Sequence, residues 1–540
     1  MQNNLDWDLP YPSRRAPVLA QNMVATAHPV AAQVGIATLQ RGGNAVDAAL
    51  ATAIALTVLE PVSAGLGGDA FAIIWDGSRV HGLNASGRSP LALDVEKFSG
   101  LDQMPEMGWD SVTVPGVVSG WAAMSRKFGR LPFKTLFEPA IRYARDGYHL
   151  TPQIARQWRS LHPRYKEFPD ALAYYYPQGR IPELGDLQTS PELADSLEII
   201  ADSGGAAFYE GSLARKIAAH ARAAGAHLDQ KDLSLHTADW VDPIPMPYRN
   251  AILYELPPNG QGLAALSGLG ILNEFDLSTC PQDGADSIHI QIEAMKLALA
   301  DTYAEVGDPG HMRVGCDQLL DPRYLRSRSR SISMSEARYP VCGRTQSGGT
   351  TYLASADRDG MMVSYIQSCG HGFGSGVVVP GTGIALQSRG RAFTIERGHP
   401  NCIGPGKRPF HTNIPAFVTM DGRALACIGL AGWTMQPQAH LQFMVRLLDY
   451  RQNPQSVIDG PRWRIALEEP AIVLEPQIGA EVRADLVRRG HQIVETEKFS
   501  FARTPRGSAA MFGGAQMICK LDHGYVGGSD GRRDGQVLGF

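Results

Sequence analysis

The stretch Gly348 to Ser368, GGTTYLASADRDGMMVSYIQS, decides how the rest of the chain is read. β-branched, aromatic and small residues flank Asp357-Arg358-Asp359-Gly360, which predicts a hairpin with the Asp-Gly pair in its turn. Pairing residues symmetrically about Asp359 sets Thr350 opposite Ser368, a register open to slippage by about one residue. A Thr-Thr pair at a strand start is ordinary, since threonine suits a pleated surface. Its setting is less ordinary: Gly348-Gly349 frees the backbone for conformations closed to other residues, so the Thr350 hydroxyl can approach the carbonyl before it. Attack there gives an N-to-O acyl shift. Hydrolysis of that ester leaves Thr350 with a free α-amino group, whose ordinary pKa near ~8 suits a general base for its own hydroxyl.

Upstream, Arg326 to Ser347 has little apolar periodicity and many small polar residues, and reads as an exposed loop or tail. Downstream, Ala416 to Val418 and Ala424 to Ile428 are short apolar strands about an Asp421-Gly422 turn, expected to extend the hairpin's sheet. Nearer the N-terminus, Gly42-Gly43 precedes Asn44, which caps AVDAALATAIALTVL. That segment is apolar on nearly every side, which implies a helix buried all round, ended by Pro61. Gly65, Gly67 and Gly68 then turn into a strand from Ala70 to Trp75, closed by Asp76-Gly77. The order helix, turn, strand is the reverse of a dinucleotide or P-loop site, which argues against a phosphate cradle. Lys134 to Ser234 reads as mainly helical, with Tyr174, Tyr175 and Tyr176 as packing groups. A strand from Ile252 to Leu256 runs through PPNGQG into the helix LAALSGLGILNEF, and a second helix, capped by Asp286, runs from Ser287 to about Val306.

Composition narrows the function classes. The 540 residues are 44% hydrophobic and 19% charged, the profile of an ordered protein with a large core. A formal charge of −4 and a pI near 6.4 give no basic excess for a phosphate backbone, so no nucleic acid partner is expected. MQNNLDWDLPYPSRR has no apolar h-region, and the longest apolar run, Ala48 to Leu59, is too short to span a bilayer. A cytoplasmic protein without a membrane segment is expected. The seven cysteines are scattered without zinc spacing and read as buried thiols, and no metal or organic cofactor is expected.

Together with GGNAVDAA, SAGLGGDAF, LPPNGQG, DTYAEVGDP, FGSGVVVPGTGI, GPGKRP and GGSDGRRDG, the GTTY at Gly349 resembles, in order along nearly the whole chain, the gamma-glutamyltransferase family of N-terminal-nucleophile hydrolases. The resemblance implies an α/β fold, a four-layer αββα sandwich, whose precursor is cut between Gly349 and Thr350. Residues 1–349 would then form a large subunit and 350–540 a small one, interleaved in one unit, with a dimer of such heterodimers left open. It implies Thr350 as nucleophile and Ser368 as its support, where the family usually has threonine. Gly432 and Trp433 fall where the family uses the backbone N–H groups of a Gly-Gly pair as an oxyanion hole, and the tryptophan implies a narrowed pocket.

Departures from the family pattern bear on substrate. Arg88 stands two residues later than the arginine that holds the α-carboxylate of a γ-glutamyl group. Arg389, Ala392 and Gly370 replace the groups of the amino-binding pocket, and His411 and Thr412 replace paired serines. Losing an acidic partner at Ala392 and gaining Arg389 removes the reason to bind an ammonium and supplies one to bind a carboxylate. Arg88, Arg389, His411 and Thr412 are therefore the expected substrate-binding residues, and the expected activity is amide hydrolysis of a small carboxylate-bearing, oxamate-like amide through an acyl-enzyme. The alternatives are a glutathione hydrolase or γ-glutamyltransferase, and a non-catalytic binding member of the same fold. Cys369, beside Ser368, reads as core.

Overall fold

The computed structural model describes residues 15–338, 349–467, 471–494 and 510–540. Residues 1–14 of the N-terminal segment read for a leader, residues 339–347 of the expected loop, and Gly348 lie outside the described residues. Two seven-stranded antiparallel sheets form the centre. The first runs Gln536–Gly539, Met23–Thr26, Gly349–Ala356, Met362–Gly370, Asp69–Trp75, Val80–Ala85 and Asp239–Val241. The second runs Val18–Ala20, Tyr525–Ser529, Gly514–Lys520, Arg423–Ala431, Ala416–Met420, Ala251–Glu255 and Ile244–Tyr248.

Three apolar layers hold these sheets in register. Phe71, Ile73, Tyr352 and Ile366 of the first sheet share one buried cluster with Phe417, Cys427 and Ile518 of the second, and Trp75 stacks on Phe417 with ring centroids 5.9 Å apart. On its other face the first sheet buries Leu353, Val363 and Tyr365 against the helix Ala45–Leu59. The second sheet buries Leu253, Ile428 and Met517 against the helices Gly262–Leu272, Ala285–Glu305 and Met435–Met444. Each sheet thus has a helix layer outside it, and the expected αββα sandwich is what two apolar-faced sheets require.

The helix Ala45–Leu59 is buried along its whole length, as its composition predicts, and Asn44 and Asp47 close its first turn by reciprocal side-chain to backbone hydrogen bonds. This helix also anchors the hairpin. The turn residue Asp357 accepts from the Ala45 N–H at 2.8 Å, and Ser355 donates to the Ala45 carbonyl at 2.7 Å. Tyr175, from the expected packing group, stacks on Phe373 at 3.7 Å and so backs the loop that follows Gly370.

Three expectations need correction. The hairpin Ala416–Met420 and Arg423–Ala431 lies in the second sheet and faces the Thr350 hairpin instead of extending its sheet. Close approach fixes this packing: a Cβ on Gly429 would come within 2.3 Å of the Tyr352 ring. Asp286 does not cap its helix, which begins at Ala285 after Gly284. Arg326 to Ser329 closes the short helix Pro322–Ser329, capped by Asp321, of which only Leu325 and Ser329 are buried.

Candidate active site

Around Thr350 the hairpin departs from regular pairing. From Thr351↔Gln367 to Ala356↔Met362 the register is the one predicted from the turn, but Gly349 pairs with Gly370, so one extra residue is accommodated opposite Thr350. The bulge re-aims the end of the strand. Ser368 donates its hydroxyl hydrogen to the Gly349 carbonyl, in a short hydrogen bond, and its oxygen accepts from the Gly370 N–H at 2.9 Å. Thr350 is buried, and its hydroxyl donates to Asn413 Oδ1 at 3.3 Å.

Arg389 joins these groups. It lies on the 3-10 turn Arg389–Ala392 and is 4% exposed. Its Nη2 donates to Ser368 Oγ at 2.8 Å and to Asn413 Oδ1 at 3.2 Å, and its Nη1 donates to Thr412 Oγ1 at 3.0 Å. Burial pulls its pKa down to about 10, against the opposing charge of Asp69, so it remains a cation at neutral pH. Two N–H-bearing atoms, Arg389 Nε and Asn413 Nδ2, are buried here without a hydrogen-bond partner among the described residues.

Asp69 supplies the balancing charge. It opens the strand Asp69–Trp75 directly across from Ser368 and is fully buried. Its Oδ1 accepts from the N–H groups of Gly87 and Gly116 and from Gln387 Nε2, at 2.9 to 3.1 Å. Burial raises its pKa to about 6, against the pull of these donors and of Arg389. His411 is fully buried and spans Asp69 Oδ2, 3.3 Å from its Nε2, and the Asn413 N–H, which donates to its Nδ1 at 3.1 Å. Burial, then Arg389, holds its pKa well below the ordinary value, and the neutral ring donates through Nε2.

Gly432 and Trp433 connect the strand Arg423–Ala431 to the helix Met435–Met444. Gln261 ties this loop to the rest: its Nε2 donates to the Thr412 carbonyl at 2.6 Å and to the Trp433 carbonyl at 2.7 Å. Trp433 has φ +54°, a left-handed conformation that is costly for a bulky side chain and free for glycine. Its ring meets the edge of His371, with centroids 6.2 Å apart.

The sequence-predicted residues thus divide. Gly349, Thr350, Ser368, Arg389 and Thr412 are joined by hydrogen bonds, and Gly432-Trp433 is tied to them through Gln261. Arg88 is committed elsewhere: its Nη1 donates to Asp308 Oδ2 and to the Gly406 carbonyl, both at 3.1 Å, and its side chain is nearly half exposed. His411 has both ring nitrogens engaged within the protein, between Asp69 and the Asn413 N–H. Cys369 is buried, its thiol pushed up to about 12 by burial, as fits a core residue. Sequence reasoning missed Asn413, Asp69 and Gln261. Each stands within or beside a motif already noted, but its side-chain direction depends on contacts between the two sheets.

No described helix is long and apolar enough to cross a membrane. The family profile described as Gamma-glutamyltranspeptidase matches residues 31–540. The Glutathione hydrolase-like YwrD proenzyme of Bacillus subtilis is 33% identical over 96% of this chain and 98% of its own. The oxamate amidohydrolase proenzyme of Klebsiella pneumoniae is 32% identical over 97% and 99%. Among solved structures, the cephalosporin acylase from Bacillus halodurans superposes with a TM-score of 0.93 at 42% identity, covering 99% of both chains.

Proposed function

The chain belongs to the gamma-glutamyltranspeptidase family, and from that premise we propose that it is a self-cleaving threonine amidohydrolase of small carboxylate-bearing amides. The observation that carries this reading is the relay at Thr350: Arg389 donates to the Ser368 hydroxyl, which donates to the carbonyl just ahead of Thr350. A donor fixed on that oxygen stabilises the negative charge that develops as the Thr350 hydroxyl adds to the Gly349 carbonyl carbon. Collapse breaks the Gly349–Thr350 C–N bond and leaves an ester on Thr350 Oγ1. That cleavage frees the Thr350 amine, and water then hydrolyses the ester to release the Gly349 carboxylate and restore the Thr350 hydroxyl. The processed chains correspond to residues 1–349 and 350–540.

In turnover the freed α-amino group takes the hydroxyl proton as Thr350 attacks the substrate amide, and the amine or ammonia leaves with that proton. Water hydrolyses the acyl-enzyme. Backbone N–H groups of the Gly432-Trp433 loop take the role of oxyanion donors, and Asn413 orients the nucleophile through its carbonyl oxygen. For substrate, Arg389 stands one hydrogen bond from Ser368 and Ala392 offers no acid for an ammonium, which favours a carboxylate adjoining the scissile carbonyl. A relative named for oxamate fits this direction. The relative named glutathione hydrolase-like favours a γ-glutamyl substrate as the second reading.

Two assays decide. On a denaturing gel, purified wild-type protein should run as two bands near two-thirds and one-third of the 58.4 kDa chain, and Thr350→Ala as one band. The processed protein should release ammonia from oxamate in preference to cleaving a γ-glutamyl chromogenic amide. Strong turnover of the latter would replace the substrate assignment and leave the nucleophile standing.

A further inference from the structure

The helix Ala45–Leu59, buried along its length, ends on an acid. Glu60, its C-cap residue, is 3% exposed and stands where the helix dipole disfavours negative charge. Burial pushes its pKa up, against the pull of Arg533 and of the Ser63 and Thr351 hydroxyls. A buried acid at a helix C-terminus costs stability, which its contacts must offset. One of those contacts crosses to the hairpin: the Thr351 hydroxyl donates to Glu60 Oε2 at 3.0 Å, and Thr351 is itself buried. The turn after Glu60 reaches the same two strands. A Cβ on Gly349 would come within 2.5 Å of the Val62 carbonyl oxygen and 3.3 Å of the Ser63 Cα. On the partner strand the Cys369 N–H donates to the Ser63 carbonyl at 3.4 Å.

Residues 60–63 therefore meet the chain on both sides of the Gly349–Thr350 bond. Thr351↔Gln367 is the last regular pair before the bulge, and the Gln367 side chain donates to the Ala53 carbonyl of the same helix at 2.8 Å. Thr350 has no partner in that register, so its direction depends on what fixes its neighbours. Successive side chains of a strand point to opposite faces, and Thr351 anchored on the helix side leaves the Thr350 hydroxyl on the side of Asn413. We infer that Glu60 is a positioning residue for self-cleavage: by holding Thr351, with the Val62 carbonyl backing Gly349, it keeps the Thr350 hydroxyl aimed at the Gly349 carbonyl carbon. The inference rests on the proposed self-cleavage and concerns its first step, addition of the hydroxyl. Glu60 acts through Thr351 and not on the reacting atoms.

Timing cleavage of the full chain on denaturing gels after cell-free synthesis tests this role. Thr351→Val keeps the β-branched shape and loses the donor; it should slow cleavage roughly tenfold or more, whereas Thr351→Ser, which keeps the donor, should stay within about threefold of wild type. Glu60→Met should be as slow as Thr351→Val, and the double variant no slower than the slower single, because each removes the same contact. The deficit should persist in hydroxylamine, which cleaves an accumulated ester and so bypasses only the later step. Thermal unfolding of each variant in a Thr350→Ala background, where every chain is whole, shows whether the fold is kept; if Glu60→Met unfolds, Thr351→Val against Thr351→Ser decides. Wild-type rates in Thr351→Val, a Thr351→Ser chain as slow as Thr351→Val, or a deficit abolished by hydroxylamine would overturn the positioning role and leave Thr350 as the cutting residue. A wild-type chain that never cleaves would instead remove the self-cleavage reading, and this inference with it.

Discussion

The two ends of the hairpin Gly349–Gly370 are built to different rules. At the turn end the strands pair without interruption, and Asp357 accepts the N–H groups of Ala45, Asp359 and Met361 while its carbonyl accepts the Tyr525 hydroxyl. Every one of those donors is matched. At the open end the register slips at Thr350, a cation donates to the hydroxyl that in turn donates to the Gly349 carbonyl, and Arg389 Nε and Asn413 Nδ2 lack partners among the described residues. The same two strands thus carry a saturated stabilising end and an unsaturated end suited to chemistry, and that difference locates the site more sharply than residue identity does.

Substitutions at the two ends should separate activity from stability. The largest effect is expected for Arg389→Met, which removes the donor to Ser368. Self-cleavage, followed by gel densitometry, should slow by roughly a hundredfold to a thousandfold, equivalent to about 3–4 kcal/mol of transition-state stabilisation. At the opposite end Asp357→Ala leaves buried N–H groups unmatched and should cost about 2–3 kcal/mol in chemical denaturation. Its processing and its kcat should stay at the wild-type level below the new unfolding midpoint. If Asp357→Ala lowered kcat as strongly as Arg389→Met, the division between the two ends would fail.

Asp69 gives an intermediate effect with a definite sign. Its pKa is raised from 3.8 to about 6 by burial, so as pH falls through 6 it gains a proton and stops balancing Arg389. The rate of self-cleavage, which precedes release of the α-amino group, should fall about tenfold between pH 7 and pH 5, and this limb should be absent in Asp69→Asn, whose plateau is lower throughout. The stability contribution of the same group runs the other way. Because its folded value lies above the unfolded one, that contribution is complete below about 4 and is lost as pH rises through about 6. A Tm measured across the same range therefore tells catalysis from unfolding. The smallest effect is expected for Trp433→Gly: relief of the left-handed conformation offsets the lost ring packing to within about 1 kcal/mol, while kcat/KM for bulkier acyl groups rises relative to oxamate.

Much of this was legible in the sequence for local reasons. The Asp-Gly turn and the strand residues about it specify the register from Thr351 to Ala356, and the uninterrupted apolar run after Asn44 specifies a helix with no exposed face. The bulge at Thr350 was not legible, because it follows from the contacts of Ser368 with Arg389 and Gly370, which no pairing rule contains. The hairpin Ala416–Met420 and Arg423–Ala431 is legible but its sheet is not, since strand propensity is the same in either sheet and the choice rests on long-range pairing with Ala251–Glu255 and Gly514–Lys520. The helix Pro322–Ser329 was missed for want of an apolar stripe, although Asp321-Pro322 is a readable start signal. Arg88 shows the converse: its place near a family landmark was legible, but its pairing with Asp308, far along the chain, was not.

The central claim is that Thr350 cuts the chain ahead of itself, and intact-mass spectrometry of purified wild-type protein and of Thr350→Ala tests it most directly. The account predicts two wild-type species whose smaller member begins at Thr350 with a free α-amino group, and a single full-length species for Thr350→Ala. A wild-type protein that stays whole, or a Thr350→Ala protein cut at the same bond, would contradict it.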